Sequence, residues 1–264
     1  MSVRLSVLAG LLPLLSLGAC GEGGRPASKA EAARADLVAG YVMPPRVLAA
    51  RFGRGGTALA GQAAPGARVL LVAPDGGQKE TLADPAGNWL IVAPPAGDLR
   101  LYGLAMMVGE RSVQAEGFLA LTPDGRLAQL RPGAGALVLS PTSRRPVILA
   151  LDFDRDGAAM VSGVGTVNAE IGLRLDRAAA GGSMVDRQGR FSFTLSRPLG
   201  AASHDLEISG EGGEDTVRVS AARAAELPGL YRAARVAGAW RIDWRTPGGG
   251  VQSTLLFDHA TGTR

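Results

Sequence analysis

The chain has 264 residues, with 28 Lys and Arg against 24 Asp and Glu, two His and one Cys. That length suits one large domain or two of about 100 residues, and a lone cysteine excludes any disulfide within the chain, so the fold must rest on its hydrophobic core. The net charge of +4 is scattered, and Arg144-Arg145 is the one adjacent basic pair, with no aromatics interleaved, which excludes the dense basic face of a nucleic-acid binder.

Arg4, the apolar stretch Leu5 to Leu17 and the closing run Leu17-Gly18-Ala19-Cys20 have the basic start, apolar middle and small residues of an export signal. Leu5 to Ala19 is shorter than the about 20 apolar residues of a membrane-spanning helix, and Pro13 interrupts it. The Leu-Gly-Ala-Cys ending resembles the lipobox of bacterial lipoproteins. The resemblance implies removal of residues 1–19 and lipidation of Cys20, which ties the chain to a membrane. Gly rather than Asp at residue 21 implies, by the same resemblance, the outer membrane, on its periplasmic side or at the cell surface.

Residues 20–44 read as a tether. Gly21 to Pro26 is flexible in composition. Ser28 with Glu31 forms a capping box and Gly40 a stop, which predicts a short helix from about Lys29 to Ala39. Met43-Pro44-Pro45 ends the tether.

Beyond it, short alternating runs dominate and long helical periodicity is absent. Strands are expected at Arg68–Ala73, Asn88–Val92, Asp98–Leu104, Ser112–Leu121 and Ala136–Leu139. In the second half they are expected at Glu170–Leu175, Arg190–Leu195, Asp205–Ser209, Thr216–Ser220, Ala239–Arg245 and Val251–Phe257. Ala221 to Glu226 reads as one helical turn, stopped by Pro228.

The two halves repeat. At an offset of 102, Gly61 meets Gly163, Gly66 meets Asn168, and Val69 and Leu71 meet Ile171 and Leu173. Gly and Asn are the residues that best tolerate positive φ, so a shared left-handed turn is expected there. Asp84 through Gly87 to Trp89 meets Asp186 through Gly189 to Phe191, a type I turn followed by a strand entering a core. The turns Thr122-Pro123-Asp124-Gly125 and Thr246-Pro247-Gly248-Gly249 correspond at an offset of 124, so the second repeat carries about 22 extra residues before its last hairpin.

Gly61, Pro65-Gly66-Ala67 and Ala83-Asp84 through Gly87 to Trp89 resemble the bacterial Ig-like and carboxypeptidase-regulatory-like modules. The match is looser in the second repeat, where Val185 stands before Asp186. The resemblance implies spacers, adhesion units or binding platforms. It leaves Ig-like and prealbumin-like topologies both open.

Two patterns are candidate sites. Asp152, Asp154 and Asp156, followed by Gly157, match the first half of a calcium loop. The twelfth position is Gly163 rather than Glu, and the first repeat has Gly-rich Phe52 to Gly56 at the matching place, so a solvated turn is the competing reading. Trp240, Ile242 and Trp244 alternate on one strand face. They are either a glycan-stacking platform at Trp240 and Trp244 or a core stripe. His204 and His259 lack metal-ligand spacing. No serine-hydrolase elbow or zinc-protease motif is present.

The sequence therefore predicts an all-β chain, with a signal peptide over 1–19, a tether over 20–44 and two tandem Ig-like β-sandwiches over 45–142 and 143–264. The expected function is non-catalytic: a lipid-anchored envelope protein giving structural support or binding a protein. No catalytic residue is assigned, and calcium is the one cofactor considered. Glycan binding is the alternative, and a hydrolase with an unrecognised site the second alternative.

Overall fold

A computed structural model describes residues 40–139 and 142–258. The signal segment, Cys20 and the expected helix at 29–39 lie outside the described residues. Among those described, every regular element is a strand, and the chain is all-β.

The first sandwich contains β1 (Arg46–Gly53), β2 (Gly56–Gln62), β3 (Arg68–Val72), β4 (Gln78–Leu82), β5 (Asn88–Ala93), β6 (Arg100–Val108), β7 (Arg111–Gln114), β8 (Phe118–Leu121), β9 (Leu127–Leu130) and β10 (Leu137–Leu139). One sheet has the order β1-β2-β5. The other runs β10-β9-β8-β6-β3-β4, with β7 also on β6. Between them Leu59, Val69, Leu71, Trp89, Ile91, Leu104 and Met106 form the core.

The second sandwich contains β11 (Val147–Asp154), β12 (Ala159–Val164), β13 (Glu170–Leu175), β14 (Ala178–Met184), β15 (Arg190–Thr194), β16 (Ser203–Gly210), β17 (Gly213–Ser220), β18 (Tyr231–Val236), β19 (Ala239–Arg245) and β20 (Val251–Phe257). Its sheets run β15-β12-β11-β20-β19-β18 and β14-β13-β16-β17. Ile171, Leu173, Phe191, Phe193, Leu206 and Ile208 are central to its core.

The shared offset has a structural cause. Gly61 pairs with Trp89 across β2 and β5, and Gly163 pairs with Phe191 across β12 and β15. A Cβ on Gly61 would sit 2.0 Å from the Arg46 carbonyl oxygen and 2.5 Å from the Trp89 ring. On Gly163 it would sit 2.0 Å from the Val147 oxygen and 2.5 Å from the Phe191 ring. Both repeats therefore leave out a side chain so that an aromatic ring can lie against the strand. Each first strand shifts register beside that glycine, between Val47 and Ala49 and between Ile148 and Ala150. The expected left-handed turn is present in both, at Gly66 (φ 71°) and Asn168 (φ 63°). Asp84 Oδ1 accepts from the amides of Ala86 and Asn88, and Asp186 Oδ1 from those of Gln188 and Arg190.

Two expectations are corrected. Ser112–Leu121 is not one strand but β7 and β8, separated by residues 115–117, with Gly117 at φ 63°. Ala221 to Glu226 forms no helical turn; arginines of β19 instead hold a carbonyl of this segment and one just after it. Arg241 Nη2 donates to the Ala222 oxygen at 2.6 Å, and Arg245 Nη2 to the Leu227 oxygen at 2.8 Å. Leu227 is buried under this strap. The extra residues of the second repeat thus span the sandwich before β18.

Candidate functional site: the seam between the sandwiches

Alternation along β19 splits its side chains between two environments. Arg241 and Asp243 face the strap side, where the buried Asp243 carboxylate accepts from Ser253 Oγ at 2.6 Å, Arg241 Nε at 2.9 Å and Arg232 Nη2 at 3.1 Å. Trp240, Ile242 and Trp244 face the other way, toward the first sandwich. There they join Ala150 and Leu256 with Leu99, Leu101, Ala120, Ala128, Leu130 and Ala136 in one apolar cluster. Trp244 is fully buried and Trp240 is 7% exposed. The Phe118 ring meets Trp244 edge-on, with centroids 6.0 Å apart, a favoured aromatic geometry. The glycan-platform expectation for Trp240 and Trp244 is therefore corrected: both rings are spent on joining the sandwiches, and neither face is free to stack on a sugar.

The aspartate pattern is corrected on the same ground. Asp152 lies inside β11, 3% exposed, and its carboxylate enters the seam. It accepts from Thr254 Oγ1 at 2.6 Å, from the Ala136 amide at 2.7 Å and from Gln252 Nε2 at 3.2 Å. Trp244 Nε1 in turn donates to Thr254 Oγ1 at 3.1 Å. One chain of hydrogen bonds thus runs from an indole of the second sandwich through Asp152 to the backbone of the first. Burial pushes the Asp152 carboxyl up from its ordinary value, against the opposing pull of these donors. Asp154, two residues on, does something else. Its Oδ1 accepts from the amides of Asp156 and Ala158 and closes the β11–β12 turn, while Asp156 is exposed. The three carboxylates are not brought together, and no group of three or more His, Cys, Asp or Glu suited to a metal ion occurs among the described residues.

Residues 131–136 hold the seam from the first side. Arg131 donates to the carbonyls of Gly135 and Ala134 at 3.0 and 2.9 Å, which fixes the loop. The Gly133 amide donates to Gln252 Oε1, and Ser162 Oγ donates to the Ala136 oxygen at 2.8 Å. At the far edge Arg126 reaches across to the Phe257 oxygen at 2.7 Å and to Asp258 Oδ1 at 2.5 Å. Arg235 also binds Asp258. The hydrogen bonds from Arg235 and Arg126 hold the Asp258 carboxyl below its ordinary value despite partial burial.

Beside this loop an open cleft of about 430 Å³ separates the sandwiches. Leu137, Val138 and Leu149 supply its apolar lining, and Arg131, Arg190 and Ser192 its polar lining. A smaller cavity of about 110 Å³ lies next to Asp152, Met160 and Gln252. Neither gathers a nucleophile with a base. His204 has Asp176 Oδ2 at 2.8 Å from Nδ1 and the Gly200 oxygen at 3.0 Å from Nε2, so both ring nitrogens are occupied in tying the β13–β14 turn to a neighbouring loop.

Comparison with known proteins adds little to this. No family model matches the chain, and no curated protein matches it. Among solved structures it is similar to the BSP domain of a biofilm-associated protein, at 12% identity and a TM-score of 0.26, over 70% of this chain and 30% of that one. It is also similar to the central fibronectin-III array of RIM-binding protein, at 11% identity and a TM-score of 0.24, over 79% of this chain and 74% of that one. Similarity this distant supports no statement about activity or partners.

Proposed function

We propose that this is a non-catalytic, lipid-anchored envelope protein whose two Ig-like sandwiches act as one body, presenting a surface to a protein partner or supporting an envelope assembly. The observation that supports this reading is the seam. The features most suggestive of chemistry, the tryptophan pair and Asp152, are committed to joining the two halves. Anchoring would come from acylated Cys20, on the periplasmic side of the outer membrane, with residues 20–44 as the tether.

The test uses the full chain expressed in a bacterial host with its signal intact. Mass spectrometry of the membrane fraction is expected to find a first residue at Cys20 carrying acyl mass. The lipidated protein, used as bait in detergent-solubilised envelopes, is expected to retain a specific protein. An unmodified amino terminus upstream of Cys20 would overturn the anchor. Turnover of an envelope glycan or peptide by the purified protein would overturn the non-catalytic reading.

A further inference from the structure

The chain enters the first sandwich at one end, and connectivity fixes what else is there. β2 ends at Gln62 and β3 begins at Arg68, β4 ends at Leu82 and β5 begins at Asn88, and β6 turns into β7 between Val108 and Arg111. Arg68 pairs with both Leu82 and Met107, and Arg46 pairs with Gln62. Arg111 Nη1 donates to the Gly40 oxygen at 2.9 Å, which places the incoming segment at this same end. Val42 turns into the core, so its neighbours Tyr41 and Met43 turn outward and are 61% and 54% exposed. Leu82 is 69% exposed.

Of the ten exposed large hydrophobics among the described residues, Tyr41, Met43, Leu48, Leu82 and Leu90 fall at or next to this end, whereas the other five are dispersed over both sandwiches. Exposed Arg46, Arg68 and Arg111 stand among them. The acidic groups at or next to this end are Asp84, occupied by the amides of Ala86 and Asn88, with Glu110 and, two residues inside β4, Glu80. The seam lies at the other half of β6, where Leu101 pairs with Ala120, so the second sandwich is directed away.

We propose that this end of the first sandwich rests on the phospholipid surface, with Tyr41, Met43 and Leu82 entering the interfacial layer and Arg46, Arg68 and Arg111 facing lipid phosphates. A phenol and aliphatic side chains interleaved with guanidiniums match the layer where apolar tails meet charged headgroups. The proposal rests on the anchoring of Cys20. Nineteen residues lie between Cys20 and Gly40, a span of at most about 70 Å when extended. The anchor therefore keeps this end close to the bilayer, and a patch too weak to bind alone suffices there.

The experiment measures hydrogen exchange in the mature lipidated protein on vesicles of phosphatidylethanolamine and phosphatidylglycerol, with the mature Cys20→Ser chain free in solution as reference. Amides at 41–43, 81–83 and 109–111 are expected to exchange about tenfold more slowly on vesicles, with the second sandwich unchanged. The exposed-site variant Tyr41→Ser/Met43→Ser/Leu82→Ser is expected to remove that protection while acylation persists. Unchanged exchange at these amides in acylated, vesicle-bound protein would overturn the contact and leave the anchor standing. Protection that requires an added envelope protein would overturn it in favour of a protein partner. Absence of acyl mass on Cys20 would instead count against the anchor. Without the anchor so weak a patch does not hold the chain at the bilayer, so that result would overturn the contact along with the anchor.

Discussion

The two sandwiches share their first seven strands in kind and differ in where the last three go. In the first, β8 pairs with β6, so β8, β9 and β10 extend the second sheet. In the second, β20 pairs with β11, so β18, β19 and β20 extend the first sheet. The turns within these last hairpins are alike: the Gly125 amide donates to Thr122 and the Gly249 amide to Thr246. The docking edge differs, and the third strand follows the hairpin in the first sandwich (β10) but precedes it in the second (β18). That difference gives each sandwich an apolar outer face, and the two faces meet as the seam. A duplicated unit can thus acquire a specific internal interface by re-routing one hairpin, without altering the turns and glycine contacts that define the unit.

The comparison is broken most severely at its centre. Trp244→Ala is expected to cost about 3–5 kcal/mol and to split one calorimetric unfolding transition into two as the sandwiches uncouple. A single transition shared by both halves would mean that Trp244 does not couple them. Gly61→Ala and Gly163→Ala should each destabilise by about 1–3 kcal/mol, measured by urea unfolding. Losses of similar size would confirm that the equivalent glycines do equivalent work.

The pH response sharpens the contrast between two carboxylates at the seam. The Asp152 carboxyl titrates higher folded than unfolded, so the folded state binds more protons and stability rises as pH falls from that raised value toward 3.8, its ordinary value. Asp258 is shifted the other way, and its contribution is lost as pH falls below 3.8. Melting temperatures of wild type and Asp152→Asn, compared from pH 7 to pH 4, should show wild type gaining relative to the variant. A constant difference would contradict the assignment. The smallest effect is expected at Trp89→Phe. Trp89 Nε1 is buried with no acceptor among the described residues, and Phe191 fills the equivalent place in the second sandwich. The change should fall within about 1 kcal/mol in chemical unfolding.

The repeat was legible because its landmarks are local. Gly66 and Asn168 had to match wherever a left-handed turn joins two strands, and Asp84 and Asp186 wherever a carboxylate closes a turn. Of the strands that escaped notice, β11 has the clearest cause. β11 is buried along nearly its whole length, with Ile148, Leu151 and Phe153 facing one core and Ala150 and Asp152 the seam. Period-two alternation disappears when both faces are covered. The tryptophans told their face but not their neighbour, since nothing in β19 encodes that its outer side meets another sandwich. The aspartate spacing misled because a strand end divides it: Asp152 belongs to the sheet and Asp154 to the turn. The strap was misread as helical because Arg241 and Arg245, which hold the Ala222 and Leu227 carbonyls, lie some twenty residues further on.

The β11–β20 ladder, with Ala150 paired to Leu256, has a bearing on how the molecule assembles. The second sandwich cannot complete its larger sheet until β20, Val251–Phe257, is available, whereas every strand of the first is present by Leu139. Closure of so long a loop is slow. A chain emerging from its amino terminus would therefore finish the first module early, and that module's apolar flank would wait, uncovered, for β19 and β20 to arrive.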